Sequence, residues 1–184
     1  MTEPIFYIAL FAHLVFLIMG FGAVIVIDSF GLLMLLGKTR LDLVKKVADI
    51  TQRLIWIGWI GMIASGLVLI TMKGYVDNLT KIKLFFVVLV GLNGVYLHII
   101  KKALGRYGSM KEIPAIWKFR IGLASFISQM GWWGALFIGF VHRHIEHNIP
   151  WPANPWIVMV GIVSGLLALW IAGETAFRKK NETK

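Results

Sequence analysis

The chain has 184 residues, of which 58% are hydrophobic and 15% are charged, and its mean hydropathy is +0.78. A soluble domain is nearer half apolar and a quarter charged, so this composition leaves too little polar surface to cover a globular fold in water. The absence of cysteine excludes disulfides, thiolate metal sites, iron–sulfur clusters and cysteine nucleophiles. The composition is that of an integral membrane protein.

Five apolar stretches are long enough, or nearly so, to cross a bilayer core, which takes about 20 helical residues. In chain order they cover residues 5–37, 54–72, 84–100, 121–141 and 156–173. They lack the alternation of a membrane β-barrel, so helices are expected. We predict an all-α fold: a single membrane domain over residues 1–184, a bundle of five transmembrane helices whose first four form an antiparallel core with the fifth on its flank. Leu41–Gln52 has apolar residues at helical spacing, so it should extend the first or second helix or lie at the interface.

Lysines and arginines dominate the net charge of +10, and their distribution predicts the orientation of the chain. Fifteen of the 19 follow the first and third stretches or lie in the C-terminal tail, and four lie on the other side. The positive-inside rule then puts the N-terminus outside and the C-terminus in the cytoplasm, in a cell (inner) membrane. Orientation and anionic lipid headgroups explain these juxtamembrane clusters, so no nucleic-acid partner is expected.

Polar side chains inside apolar helices are costly and suggest function. Alternating crossings bring one such set to the cytoplasmic half of the bilayer: Asp28, Arg53, His98, Arg120 and Glu174. Together with Asn93 they are called the inner polar layer. This layer is interpreted as a charge-paired lock or as part of a proton or ion path. In a simpler alternative, Asp28 is neutralised by Arg53 or Arg120 and the remaining charges reach the interface. Asn93, near mid-membrane, is expected to hydrogen-bond across helices.

A second set, the outer polar layer, lies towards the opposite face in the predicted topology. It comprises His13 in the first stretch, Lys83 at the start of the third, and His142, His144 and His147 after the fourth. Imidazoles suit haem iron, copper and zinc. The three later histidines are therefore candidate metal ligands, with Glu146 able to complete the set, although solvated residues at a helix end give the same pattern. His13 is the stronger candidate, because a neutral histidine inside a span needs a partner.

Several positions share their layout with known membrane proteins: His13, Arg53-Leu54, Ser65-Gly66-Leu67 and Lys83-Leu84. Over roughly residues 5–140 this layout resembles that of the HemJ-type protoporphyrinogen oxidases and the CopD-type copper proteins. In the HemJ family, a histidine in the first helix and a lysine opening the third are associated with haem binding and protoporphyrinogen oxidation. The resemblance implies those roles for His13 and Lys83.

The chain also departs from the HemJ pattern. A tryptophan usually follows the first histidine shortly afterwards, where this chain has Met19-Gly20-Phe21-Gly22, and the third-helix histidine usually lies closer to the lysine than His98 does. Gly131-Trp132-Trp133-Gly134 resembles a family of small membrane proteins with no assigned function.

Together these features predict a membrane protein that is associated with haem b or otherwise handles redox chemistry or metals, and a membrane oxidoreductase if it is an enzyme. His13, Lys83 and His142 would contact the cofactor, which would be haem b or copper, and a quinone or porphyrin would be the membrane-soluble partner. One alternative is a small proton or cation transporter that uses the inner polar layer. The other is a non-catalytic subunit whose Gly161–Gly165 GxxxG face binds a second copy or another membrane protein.

Overall fold

A computed structural model describes residues 2–145 and 152–182 of the chain. These residues form five α-helices: α1 Thr2–Leu35, α2 Leu41–Lys73, α3 Asn78–Leu104, α4 Ala115–Ile145 and α5 Pro155–Glu182. Each helix contains a segment that is long and apolar enough to cross a membrane. The predicted all-α fold with five membrane-length helices is confirmed, and it suggests a multi-pass membrane protein. The amphipathic Leu41–Gln52 segment is the beginning of α2, so it extends the second helix.

Two glycines end the first two helices. Gly37 has a φ of 70°, and the N–H groups of Gly37 and Lys38 donate to the carbonyls of Met34 and Leu33 at 3.0 and 2.8 Å. Gly74 has a φ of 78°, and its N–H donates to the Ile70 carbonyl at 3.1 Å. A left-handed residue directly after a helix favours glycine and satisfies carbonyls that have no partner inside the helix. Both helices therefore stop sharply.

The first of two compact units contains α1, α2 and residues 108–110. Its two helices touch at backbone level, because a Cβ atom placed on Gly58 would lie 2.6 Å from the Cα atom of Gly20. A Cβ atom on Gly61 would overlap the ring of Phe16, so the ring occupies the space that this glycine leaves. Such close approach maximises dispersion contacts, which drive helix association inside a membrane. The small residues of α2 therefore set its distance from α1.

The second unit contains α3, α4 and α5, with α5 lying against the other two helices. A cluster of buried apolar side chains forms its core: Leu79, Ile82, Phe86, Ala135, Ile138, Val141 and Met159. Glycines again make room for larger groups, since a Cβ atom on Gly134 would lie 2.6 Å from the ring of Phe86. Each unit has its own packing, and the single domain with a four-helix antiparallel core remains a prediction.

The GxxxG pair of α5 has no such neighbour within the described residues. Gly161 and Gly165 are exposed, and nothing described lies within 4 Å of a Cβ atom at either position. By contrast, Gly173 near the end of α5 is buried against the ring of Phe119. The contact of α5 with α4 thus uses Gly173, and binding of a second copy or another protein through the GxxxG face stays a prediction.

Candidate functional site

His13 lies on α1, where a hydrogen bond to α2 fixes its ring. Its Nδ1 atom is 3.0 Å from the hydroxyl oxygen of Ser65. The Ser65 hydroxyl donates its own hydrogen to the Gly61 carbonyl at 2.7 Å. A hydroxyl has one hydrogen, so the bond from Ser65 to the Gly61 carbonyl favours the tautomer in which Ser65 accepts from His13 and Nδ1 carries the proton. In the neutral ring the lone pair is then on Nε2.

The His13 ring lies close to the backbone of α2. A Cβ atom on Gly66 would lie 3.4 Å from Cε1 and 3.7 Å from Nδ1, so this edge of the imidazole rests on bare backbone. Ser65 is buried and His13 is half-buried. A histidine whose Nδ1–H is held by a hydrogen bond is the arrangement that metal-ligating histidines show, because the bond fixes the tautomer and the ring orientation.

The site around His13 offers one imidazole. At the level of His13 the two helices are close, because Ser65 of α2 bonds to the imidazole and Gly66 faces it, so a planar macrocycle does not fit between them there. Among the described residues there is no group of three or more histidine, aspartate or glutamate side chains that could hold a metal ion. The first unit therefore offers a single oriented imidazole.

The other members of the outer polar layer belong to the second unit or to residues that are not described. Lys83 is half-buried on α3, and a Cβ atom on Gly139 of α4 would lie 3.5 Å from its Nζ atom. His142 is half-buried one helical turn beyond Gly139. The side chain of His144 and all of His147 lie outside the described part of the chain, so the proposed three-histidine metal site stays a prediction.

In the inner polar layer, Arg120 and Glu174 form a two-point ion pair between α4 and α5. Arg120 donates from Nε to Oε1 of Glu174 at 2.6 Å and from its terminal guanidinium nitrogen to Oε2 at 2.9 Å. The indole N–H of Trp170 donates to the same carboxylate at 3.3 Å, and the guanidinium lies 4.9 Å from the ring centroid of Trp117. Paired hydrogen bonds of this kind are geometrically specific and strong, so they fasten α5 to α4.

Asn93 connects α3 to α4 in the buried part of the second unit. Its side-chain nitrogen donates to the Ala124 carbonyl at 2.7 Å and to the Ser128 hydroxyl at 2.8 Å. Both amide hydrogens therefore have acceptors on the neighbouring helix. Buried amides are satisfied in this way because an unpaired donor in an apolar setting is costly.

The remaining inner-layer residues take no part in the hydrogen bonds given above. Asp28 is half-buried on α1, 15 residues from His13, which corresponds to about 22 Å along the helix axis. Arg53 of α2 and His98 of α3 are exposed. The neutralisation of Asp28 by Arg53 or Arg120 is not among the described contacts and stays a prediction.

Two contacts at these sites were outside the reach of sequence reasoning. The sequence singled out Ser65 only as part of the Ser65-Gly66-Leu67 layout, whereas its hydroxyl bonds to His13. Gly139 carried no pattern that linked it to Lys83. In comparisons with known proteins, no family model, curated protein or solved structure matches the chain.

Proposed function

We propose that this chain is a multi-pass protein of the cell (inner) membrane, with its N-terminus outside and its C-terminus in the cytoplasm, which binds haem b or a related redox cofactor through His13. Five membrane-length helices and the distribution of lysine and arginine support the location and orientation. The observation that carries the cofactor proposal is the hydrogen bond from His13 Nδ1 to Ser65.

This hydrogen bond supports ligation for a chemical reason. Iron binds the neutral imidazole through a lone pair, so a ligating ring must keep one nitrogen unprotonated and aimed at the metal. Ser65 accepts the Nδ1 proton and is itself held by its bond to Gly61. Bound haem would supply one-electron chemistry, and the protein would set its potential through axial ligation and burial. Ser65 is the positioning residue in this arrangement.

The donor set favours haem over copper. Haem already provides four nitrogen ligands and needs only axial groups from the protein, whereas a copper site needs several protein ligands in one place. Among the described residues of the first unit, His13 is the one histidine. Oxidoreductase activity with a quinone or porphyrin partner is suggested by the resemblance to the HemJ-type proteins. The proposal does not depend on Lys83 or His142.

The hydrogen bonds of the inner polar layer do not favour the transporter alternative. A relay needs groups that exchange protons or ions, yet Asn93 donates both amide hydrogens to α4, and Glu174 is engaged by Arg120 and Trp170. These bonds favour a role in packing.

The test is an absorption spectrum of the purified full-length protein, produced with adequate haem supply and recorded before and after reduction with dithionite. The proposal expects a Soret band that shifts on reduction and is lost in His13→Ala. Ser65→Ala should keep the band but weaken haem affinity by about 10- to 100-fold, as the loss of such a supporting hydrogen bond does elsewhere. His98→Ala is the matched control, because His98 is an exposed histidine of the other unit and its removal should leave the spectrum unchanged.

Two results would contradict the proposal. One is a colourless protein without bound metal. The other is a haem spectrum that survives His13→Ala unchanged, which would place the ligand elsewhere.

A further inference from the structure

Lys83 is a cation on the packed side of an apolar helix. It follows Leu79 by four residues and precedes Phe86 by three, and both of these side chains belong to the buried core of the second unit. Residues at these spacings share one face of a helix. Lys83 is therefore directed towards α4, and its amine does not simply extend away from the helix.

Gly139, which has no side chain, leaves the space in which this amine lies. Apart from the adjoining residues and backbone of α4 itself, the Lys83 Nζ atom is the one described heavy atom within 4 Å of a Cβ atom placed on Gly139. A methyl group there would make an ordinary contact at 3.5 Å, but a longer side chain would compete with the ammonium for the same space. The absence of a side chain at position 139 thus keeps the end of Lys83 between α3 and α4.

No described carboxylate neutralises the ammonium, which forms no ion pair or hydrogen bond with any described residue. Glu174, in the same unit, is paired with Arg120. Glu112 lies in the connection between α3 and α4, at the opposite end of α3 from Lys83. An ammonium in an apolar environment without a counter-ion is costly, so intramembrane lysines pair with an anion.

The N-termini of two helices add positive charge at the end of the second unit where Lys83 lies. The side-chain nitrogen of Asn78 donates to the Pro152 carbonyl at 3.0 Å, which brings the start of α5 beside the start of α3. Helix N-termini carry partial positive charge, and two of them meet here. Leu84 and Phe140 are exposed nearby and offer an apolar surface next to the cation.

We infer that Lys83, seated over Gly139, binds the anionic headgroup of a membrane lipid at this end of α3 and α4. The phosphate would accept hydrogen bonds from the ammonium, and the acyl chains would lie along the exposed apolar side chains. The site belongs to the second unit and is independent of the His13 proposal. Both share the premise that the helices are in a membrane.

Native mass spectrometry of the full-length protein in detergent tests this, with phosphatidylglycerol as the anionic probe and phosphatidylcholine as the zwitterionic one. We expect preferential binding of phosphatidylglycerol and a loss of at least about tenfold in its affinity in Lys83→Met, because a charge-assisted hydrogen bond is lost. Lys81→Met is the matched control on the same helix. Lys81 is exposed, so its removal should lower affinity by about fivefold or less, as a diffuse surface charge does.

Position 139 gives a second and independent readout. Gly139→Ala should retain binding, whereas Gly139→Leu should lose it to the same extent as Lys83→Met. Competition with inorganic phosphate separates a lipid headgroup from a free anion as the source of the ligand. Equal small losses in Lys83→Met and Lys81→Met, or undiminished binding in Gly139→Leu, would overturn the inference. His13→Ala should bind phosphatidylglycerol normally whatever its spectrum, which separates a failure here from a failure of the haem proposal.

Discussion

The substitution Gly58→Ala tests how closely α1 and α2 must approach each other. The added methyl group would lie 2.6 Å from the Gly20 Cα and N atoms and 2.8 Å from the Phe16 carbonyl oxygen. All three are backbone atoms of a helix, so no side-chain rotation relieves the overlap. Since carbon atoms in contact sit about 3.5 Å apart, the helices must separate by about 0.9 Å at this level.

The expected loss of stability follows from that separation. A gap of roughly 0.5–1 Å removes between a quarter and a half of the dispersion energy of each contacting atom pair. Overpacking substitutions in tightly packed interiors destabilise by about 1–3 kcal/mol, and an overlap with backbone belongs at the upper end of that range. The separation would also lengthen the 3.0 Å bond between His13 and Ser65, so the variant should hold its cofactor more weakly.

Unfolding midpoints of the purified protein in one detergent, measured by thermal size-exclusion chromatography, provide the comparison. Gly22→Ala is the matched control, since Gly22 lies in α1 and no atom of another described element comes within 4 Å of a Cβ atom there. Alanine is the better helix former by about 1 kcal/mol, so Gly22→Ala should be neutral or slightly stabilising. A Gly58→Ala variant as stable as Gly22→Ala would refute the close contact between α1 and α2.

Three further tests distinguish residues that stabilise helix packing from residues that conduct protons or ions. Arg120→Ala leaves the Glu174 carboxylate without its main partner and should lower the free energy of unfolding by about 1–3 kcal/mol. The unfolding midpoint measures this loss, and Glu174→Gln is the variant for comparison. Asn93→Leu should destabilise more than Ser128→Ala in the same assay, because the latter leaves the bond from Asn93 to the Ala124 carbonyl intact. Asp28→Asn should leave proton flux in proteoliposomes at the wild-type level. A wild-type flux that this variant abolishes would favour the transporter alternative.

The helices could be predicted from the sequence because the bilayer imposes one length scale on them. Hydropathy located all five, but it placed their ends at charged residues, whereas the backbone hydrogen bonds of a helix continue through charged turns. For this reason the second stretch was predicted to begin at residue 54 and α2 begins at Leu41. Gly37 explains the end of α1 better than hydropathy does, because a left-handed glycine stops a helix whatever its surroundings.

The candidate site was only partly predictable, because the sequence indicates how deep each residue lies in the membrane but not which residues of other helices it contacts. Alternating crossings assign each residue a depth, and on that basis Arg120 and Glu174 were placed in one layer, where the structure pairs them. Depth does not specify which helices are neighbours or how each is rotated. The bond between His13 and Ser65 depends on the register of α1 against α2, which the contact between Gly20 and Gly58 sets. No periodicity within either helix encodes that register.

Substitutions in the inner and outer polar layers should have different effects: loss of stability in the first and loss of ligand binding in the second. This contrast tests whether the first layer packs the helices and the second binds ligands. Asn93 completes its hydrogen bonds inside the protein, so substitutions there should lower stability without changing ligand binding. Lys83 and His13 should behave in the opposite way. Lys83→Met replaces an uncompensated ammonium with an apolar side chain, and His13→Ala leaves the Ser65 hydroxyl its bond to the Gly61 carbonyl. Both variants should therefore lose a ligand while unfolding at or near the midpoint of the ligand-free wild-type protein, and a large destabilisation relative to that protein would instead indicate a residue retained for packing.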